Sequence, residues 1–270
     1  MKNLDELIRN IKQFDGVTDD SRKVKKNYIF VAIKGLTVDG HNFINQARTC
    51  DASVVVGEKG DVDVKVKDSR NALSILAAAW YGNPSRNLKI IGVTGTDGKT
   101  TTATLIYEIL KFAGKKVGLI STVSAKIGDK DYDTGFHVTN PEPVALQRFR
   151  AEMVKNGCEY AVLEVTSHGL DQERVAGINF EMGVLTNITH EHLDYHKTFE
   201  NYVRAKQKLF ENSRLAIINK KYDFFKNLKT HKVYYEARDG DYHAENVAAA
   251  TAVAKQLGVD KKVIIQAIVI

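Results

Sequence analysis

Apolar positions in this chain follow two rhythms, one of period 3.6 and one of short β-branched runs, and their order predicts an α/β protein. Leu4, Leu7, Ile8 and Ile11 recur at helical spacing and predict a helix over 3–13. Short strands follow at 28–33, 52–56 and 62–66; a glycine-bounded loop at 34–40 and a helix start at 42–47 lie after the first. An alanine-rich helix over 71–81 is stopped by Gly82-Asn83-Pro84, which places a domain boundary near 83–88. Beyond it, strands at 89–93, 117–120, 160–165, 182–186, 215–219 and 232–235 alternate with helices at 100–112, 144–156, 199–209 and 222–227. Two closing helices are expected at 244–258 and 260–268. Such alternation predicts a mostly parallel sheet, with ligands gathered at the C-terminal ends of its strands. The expected fold class is α/β, with a small N-terminal α/β domain (1–85) and a P-loop-type, mostly parallel α/β domain (86–270).

Composition narrows the function classes. The 270 residues suffice to bury two cores. The N-terminal MKNLDELIRNIKQF mixes acids and bases through an amphipathic pattern and does not read as a signal peptide. No apolar run approaches the roughly 20 residues needed to cross a bilayer. Cys50 and Cys158 have no metal or redox spacing and read as reduced thiols of a cytoplasmic protein. The net charge of +6 suits a polyanionic partner. Because the lysines are scattered, without a basic stripe interleaved with aromatics, that partner is expected to be a nucleotide rather than nucleic acid. No membrane partner is expected.

The densest chemistry is at 90–102, IIGVTGTDGKTTT. A buried strand breaks at Gly95 and Gly98, and Lys99 and Thr100 lead into a helix. Glycines there let backbone amides turn toward a polyphosphate, and the helix N-terminus adds partial positive charge. Lys99 would reach the β- and γ-phosphates of ATP, and Thr100 would offer its hydroxyl to Mg²⁺. The strict G-x-x-x-x-G-K-[ST] pattern is not met, since Val93 stands where its first glycine belongs. Glu164 ends the apolar strand YAVLEVT, where an isolated carboxylate is costly unless paired or metal-bound. Thr166-Ser167-His168-Gly169 reads as a polar loop, and Gln172 and Arg174 beyond it are candidates for a substrate carboxylate or phosphate. In TNITHEHLDYH, 186–196, three histidines and two acids fall within seven residues, without the H-x-x-x-H spacing of a zinc helix. Asn219-Lys220-Lys221-Tyr222-Asp223 misses the guanine-selective N-K-x-D by one residue.

Taken together, six segments in order resemble the Mur ligase family of ATP-dependent peptide synthetases: DSRKVKKNYIFVAIKGLTVDGHNFINQA, TGTDGKTTT, TNPEPVALQ, EVTSHGLDQERV, NITHEHLDYHKTFENYVRAKQKLF and NVAAATAVA. Within the family the likeness is to the branch that adds the third residue to a UDP-N-acetylmuramoyl dipeptide. The resemblance implies that Ser21 and Arg22 hold the uridine diphosphate end of the substrate in the first domain, and that Gly95, Thr96, Asp97, Gly98, Lys99, Thr100 and Thr101 bind ATP. It implies that Thr139, Asn140, Thr166, Gln172 and Arg174 contact the muramoyl peptide. Glu164 and His192 match Mg²⁺ ligands, and Lys206 matches a lysine carbamylated by CO₂ whose new anionic group helps hold a second Mg²⁺. Lys99, Glu164, His192 and Lys206 are thus the expected catalytic set. The implied reaction activates the D-Glu carboxylate of UDP-MurNAc-L-Ala-D-Glu as an acyl phosphate, which an incoming amino acid converts to an amide.

Three features depart from the family pattern. Asp97 stands for the usual Asn, Thr139-Asn140 for Thr-Thr, and Thr166-Ser167 for Ser-Ser. The family's third domain, which receives the amino acid, would follow residue 270. The expectation is therefore a Mur-type ligase that is either a fragment or is completed by a separate C-terminal partner. The alternative is a truncated protein that binds ATP and the UDP-muramoyl peptide without ligating them.

Overall fold

The computed structural model describes residues 3–35, 37–134, 141–237 and 240–269. They divide into two compact units. The first comprises Met1–Pro84 with Glu142–Arg148 and Gln172–Gly177, and the second comprises Ser85–Pro141, Phe149–Asp171 and Ile178–Ile270. The chain thus divides after Pro84, and two short segments from the middle of the chain count with the first unit.

In the first unit, α1 (Leu4–Arg9) begins where the Asn3 side chain accepts the Glu6 amide at 2.8 Å. The helix expected over 3–13 breaks at Asn10, and Ile11–Gln13 forms a 3-10 turn. Four parallel strands follow, β1 (Gly16–Thr18), β2 (Tyr28–Val31), β3 (Ala52–Gly57) and β4 (Val64–Lys65), paired in that order, with α2 (Ile44–Thr49) and α3 (Ser69–Trp80). β1 was not expected, because three residues between Asp15 and Asp19 are too few to show a period. Alternate strand residues feed two cores: Val31 and Val56 meet Leu7, Leu73 and Leu76, while Phe30 and Val55 meet Ile44 and Ala47.

The second unit is an eight-stranded sheet. Its strands are β5 (Lys89–Thr94), β6 (Val117–Ile120), β7 (Ala125–Ile127), β8 (Lys130–Tyr132), β9 (Tyr160–Glu164), β10 (Phe180–Leu185), β11 (Ser213–Asn219) and β12 (His231–Tyr235). Their order is β12-β11-β10-β5-β9-β6-β7-β8. All pairs are parallel except the last two, β6 with β7 and β7 with β8, which are antiparallel. That hairpin, absent from the sequence reading, turns through the two residues Gly128-Asp129, with Gly128 at φ +59°. The helices beyond Pro84 are α4 (Lys99–Phe112), α5 (Pro143–Lys155, divided between the two units at Arg148), α6 (Ser167–Asp171), α7 (Leu193–His196), α8 (Phe199–Glu211), α9 (Tyr242–Gln256) and α10 (Lys261–Val269). The strands bury both faces, as parallel strands do. Ile91, Val184 and Ile217 pack with Ile106 of α4 and Ala250 of α9, whereas Leu185, Ala216 and Ile218 pack with Tyr202 and Phe210 of α8.

Two local expectations are corrected. The helix predicted over 222–227 is only a 3-10 turn, Asp223–Phe225, flanked by i to i+3 bonds from the Tyr222 amide to the Asn219 carbonyl and from the Leu228 amide to the Phe225 carbonyl. The polar stretch after Glu164 is not an open loop but α6, capped where the Thr166 hydroxyl accepts the Gly169 amide at 3.0 Å. No helix of the described residues is long and apolar enough to cross a membrane. Cys50 is exposed and Cys158 buried, both as free thiols.

Candidate functional site

β5 is the strand at which the sheet order reverses, with β9 on one side and β10 on the other. At its C-terminal end such a switch opens a crevice, and the loop 95–98 occupies it. Gly98 caps α4 in the left-handed region at φ +74°. A Cβ on Gly95 would lie 1.8 Å from Thr186 Oγ1, and one on Gly98 would lie 2.1 Å from Asn246 Oδ1. Both glycines are therefore required by protein neighbours, a reason separate from the phosphate access that motivated them in the sequence. Lys99 folds back over the loop and donates to the carbonyls of Thr96 (2.6 Å) and Gly95 (3.2 Å).

The loop is held by groups that sequence reasoning left without a role. Buried Asn187, just past β10, clamps one residue at two points: its Oδ1 accepts the Asp97 amide at 2.8 Å and its Nδ2 donates to the Asp97 carbonyl at 3.1 Å. Thr186 Oγ1 donates to the same carbonyl at 2.6 Å. The Thr96 hydroxyl lies 3.0 Å from the Tyr202 hydroxyl and accepts the Thr189 amide. Burial pushes the Tyr202 hydroxyl up to about 12, so it stays a neutral hydrogen-bonding group. The signal for these residues was present in TNIT after a parallel strand, but the partners lie ninety residues apart in the chain.

Thr100 and Glu164 meet as expected. The Thr100 hydroxyl lies 3.0 and 3.1 Å from the two carboxylate oxygens, and the Thr122 amide donates to Oε2 at 3.0 Å. Glu164 is 2% exposed. Hydroxyl plus carboxylate is a hard oxygen donor set, of the kind that suits Mg²⁺. Lys206, on α8, is 1% exposed, and its Nζ donates to the Gly95 carbonyl at 2.7 Å. Burial, then the nearby Lys99 charge, pushes its ammonium far below the ordinary lysine range. Its Nζ also sits 4.5 Å from the Tyr202 ring centre, and the His192 ring lies 6.2 Å from the same ring. Tyr202 thus links the loop, Lys206 and His192. His192 itself has a left-handed backbone, φ +55°, and packs edge-on against His168 at 4.8 Å. Among the described residues, no three His, Cys, Asp or Glu side chains converge as a metal-holding group. Thr101 lies exposed in the first turn of α4.

Four other candidates lie in the first unit, around a cavity of about 750 Å³. Ser21, Arg22, Gln172 and Arg174 all line it. The Ser21 hydroxyl donates to Gln46 at 2.8 Å, and Arg22 pairs with Asp20 at 2.8 Å, holding that carboxyl down to about 2. Arg174 pairs with Glu142 at 3.2 Å and donates to Gln172 at 3.0 Å. Burial, then the Glu142 charge, raises the Asp19 carboxyl above its usual range. Gln46, Arg70 and Asp19 also line the cavity and were not singled out in the sequence. Thr166 belongs to the second unit, where it caps α6. Thr139 and Asn140 lie outside the described residues.

Residues 93–264 match the Mur ligase middle domain, and residues 13–81 match the family model described as Mur ligase family, catalytic domain. A UDP-N-acetylmuramoyl-L-alanyl-D-glutamate--2,6-diaminopimelate ligase of Clostridium acetobutylicum is 44% identical over 246 residues, covering 87% of this chain and 51% of the relative. A solved structure of a ligase of that name superposes with a TM-score of 0.81 at 26% identity, covering 94% of this chain and 62% of that one. The fold is shared by MurF ligase from Thermotoga maritima, solved in complex with ADP, at a TM-score of 0.59 and 19% identity, over 93% of this chain and 65% of that one. This chain spans about half the length of the curated relatives it matches. With the family model matched across most of the second unit and a relative 44% identical, the chain belongs to the Mur ligase family.

Proposed function

We propose that this chain carries the carboxylate-activating half of a UDP-N-acetylmuramoyl-dipeptide ligase, with residues 1–85 holding the uridine diphosphate end of the substrate and 86–270 the ATP chemistry. The observation that carries the reading is the meeting of Thr100 and Glu164 at 3.0 Å beside a phosphate-type loop at the sheet's reversal point. The amides at the start of α4 and Lys99 would bind the β- and γ-phosphates once Lys99 releases the carbonyls it now holds. Positioned there, the γ-phosphate is open to in-line attack by the substrate carboxylate, giving an acyl phosphate and ADP; an amine then displaces phosphate to form the amide. Mg²⁺, held by Thr100, Glu164, His192 and a carbamylated Lys206, would supply positive charge against the transferring group.

Lys206 has the surroundings for that modification. Desolvation favours its neutral amine, whose lone pair can attack CO₂ and lose a proton to leave a carbamate. With few acids and histidines converging, the carbamate would provide an anionic ligand that the side chains otherwise lack. Thr166, Gln172 and Arg174, with Thr139 and Asn140, are proposed to contact the muramoyl peptide, and Ser21 and Arg22 to lie in the segment that holds the uridine diphosphate end.

The test is calorimetric titration with ATP, followed by phosphate release in the presence of UDP-MurNAc-L-Ala-D-Glu. Binding is expected, with a loss of at least tenfold in Lys99→Ala, and release should be slow and substrate-dependent. Unchanged ATP binding in Lys99→Ala would sink the site assignment. ATP and substrate binding without any phosphate release would favour the non-ligating alternative.

A further inference from the structure

We infer that Arg70, at the start of α3, is the anion-binding residue of the first unit's cavity and takes the diphosphate of a nucleoside diphosphate ligand. The inference rests on the reading of that cavity as the substrate's nucleotide end. Six charged side chains line the cavity, Asp19, Asp20, Arg22, Arg70, Glu142 and Arg174. Two of the three arginines are already neutralised: Arg22 by Asp20 at 2.8 Å and Arg174 by Glu142 at 3.2 Å. Arg70 is not. Among the described residues no carboxylate lies within ion-pair distance of its guanidinium, whose one hydrogen bond runs from Nη2 to the Lys34 carbonyl at 2.9 Å.

Other anion donors nearby are spent. The amides of Arg70 and Asn71, which open α3, are both taken by the Asp68 side chain at 2.9 and 3.0 Å. Glu58, whose charge is felt at Arg70, accepts the Ser69 amide and hydroxyl at 3.0 and 2.9 Å. What remains is a half-buried arginine whose Nε, Nη1 and second Nη2 hydrogen are left to donate, a planar cation of the kind that suits phosphate oxygens. A cavity of about 750 Å³ is wide enough for a nucleotide rather than a lone anion. Its neighbour Arg174 cannot do the same without giving up Glu142.

The bond to Lys34 offers a purely structural alternative, in which Arg70 only staples the loop beside the cavity. Calorimetric titration of the 270-residue chain with UDP, UMP and uridine separates the two. For the wild type, affinity should fall in that order. In Arg70→Ala, UDP affinity should drop at least tenfold while uridine affinity holds, and Arg70→Lys should recover part of the UDP affinity. Equal losses for UDP and uridine would assign Arg70 to the loop alone, and an unchanged UDP-to-uridine ratio would likewise overturn the inference. A folded wild-type chain that binds neither ligand would overturn the substrate reading of the cavity, and the inference with it.

Discussion

The two polar sites are built in opposite ways. At the phosphate-type loop the polar groups are bonded to other parts of the same unit, several of them buried: Asp97 to Asn187, Thr96 to Tyr202, Thr100 to Glu164, Lys206 to Gly95. Around the first unit's cavity the charges sit at loop and helix starts, and Arg22 leaves 81% of its side chain in water. The difference follows from the sheets beneath them. Eight strands with helices on both faces give the loop a rigid, dry floor, whereas strands of two to six residues leave the cavity to be shaped by loops. A dry site is strict about geometry because each unmade hydrogen bond costs a full desolvation penalty. A wet one is tolerant.

The sharpest break in that contrast is Gly95→Ala. Its Cβ would overlap Thr186 Oγ1 at 1.8 Å, so the loop or the end of β10 must shift. A loss of about 3 kcal/mol is expected, in line with overpacking of a filled site. Denaturant melts and ATP titration should show both stability and nucleotide binding falling. Adding Thr186→Ala should restore part of the stability; no loss at all in the single variant would show the loop to be softer than its hydrogen bonds imply.

Lys206→Met reverses the sign. A fully buried amine with one carbonyl acceptor is costly, so an apolar side chain of similar length should raise stability by on the order of 1 kcal/mol. Substrate-dependent phosphate release should vanish in the same variant. A destabilised protein would mean that the bond to Gly95 contributes more than the desolvation it requires.

The smallest effect belongs to the wet site. Asp20 is held down to about 2 in the folded protein by Arg22, against an ordinary value of 3.8. Its folded pKa is depressed, so the pair stabilises the fold above pH 3.8 and that contribution is lost as pH falls toward 2. Because Arg22 is mostly solvated, the contribution should be small. Arg22→Ala should therefore be slightly less stable than the wild type from neutral pH down to about 3.8, with the difference fading as pH falls toward 2. A large difference at neutral pH, or one that persists below pH 2, would place Arg22 in a drier setting than the cavity rim.

Much of this was legible in the sequence, and what was missed has common causes. Lys99 and Thr100 are read locally, since strand, glycine turn and helix are set by a dozen consecutive residues. Glu164 stood out because a carboxylate ending an apolar strand demands a partner. β1 and the β7-β8 hairpin leave no sequence signal because three-residue strands carry no measurable period, and the helical pattern over 222–227 yields only a 3-10 turn. Asn187, Tyr202, Gln46 and Arg70 drew no notice, being ordinary polar residues until the fold gave them partners.

By itself the sequence determined the α/β alternation, the break after Pro84 and the phosphate-type loop, because these rest on short-range periodicity and turn chemistry. Only the tertiary structure decided which strands flank β5, that Gly95 and Gly98 are fixed by Thr186 and Asn246, and which arginine of the cavity has no carboxylate at ion-pair distance among the described residues. Those are distances between residues far apart in the chain, and packing of the whole sheet sets them.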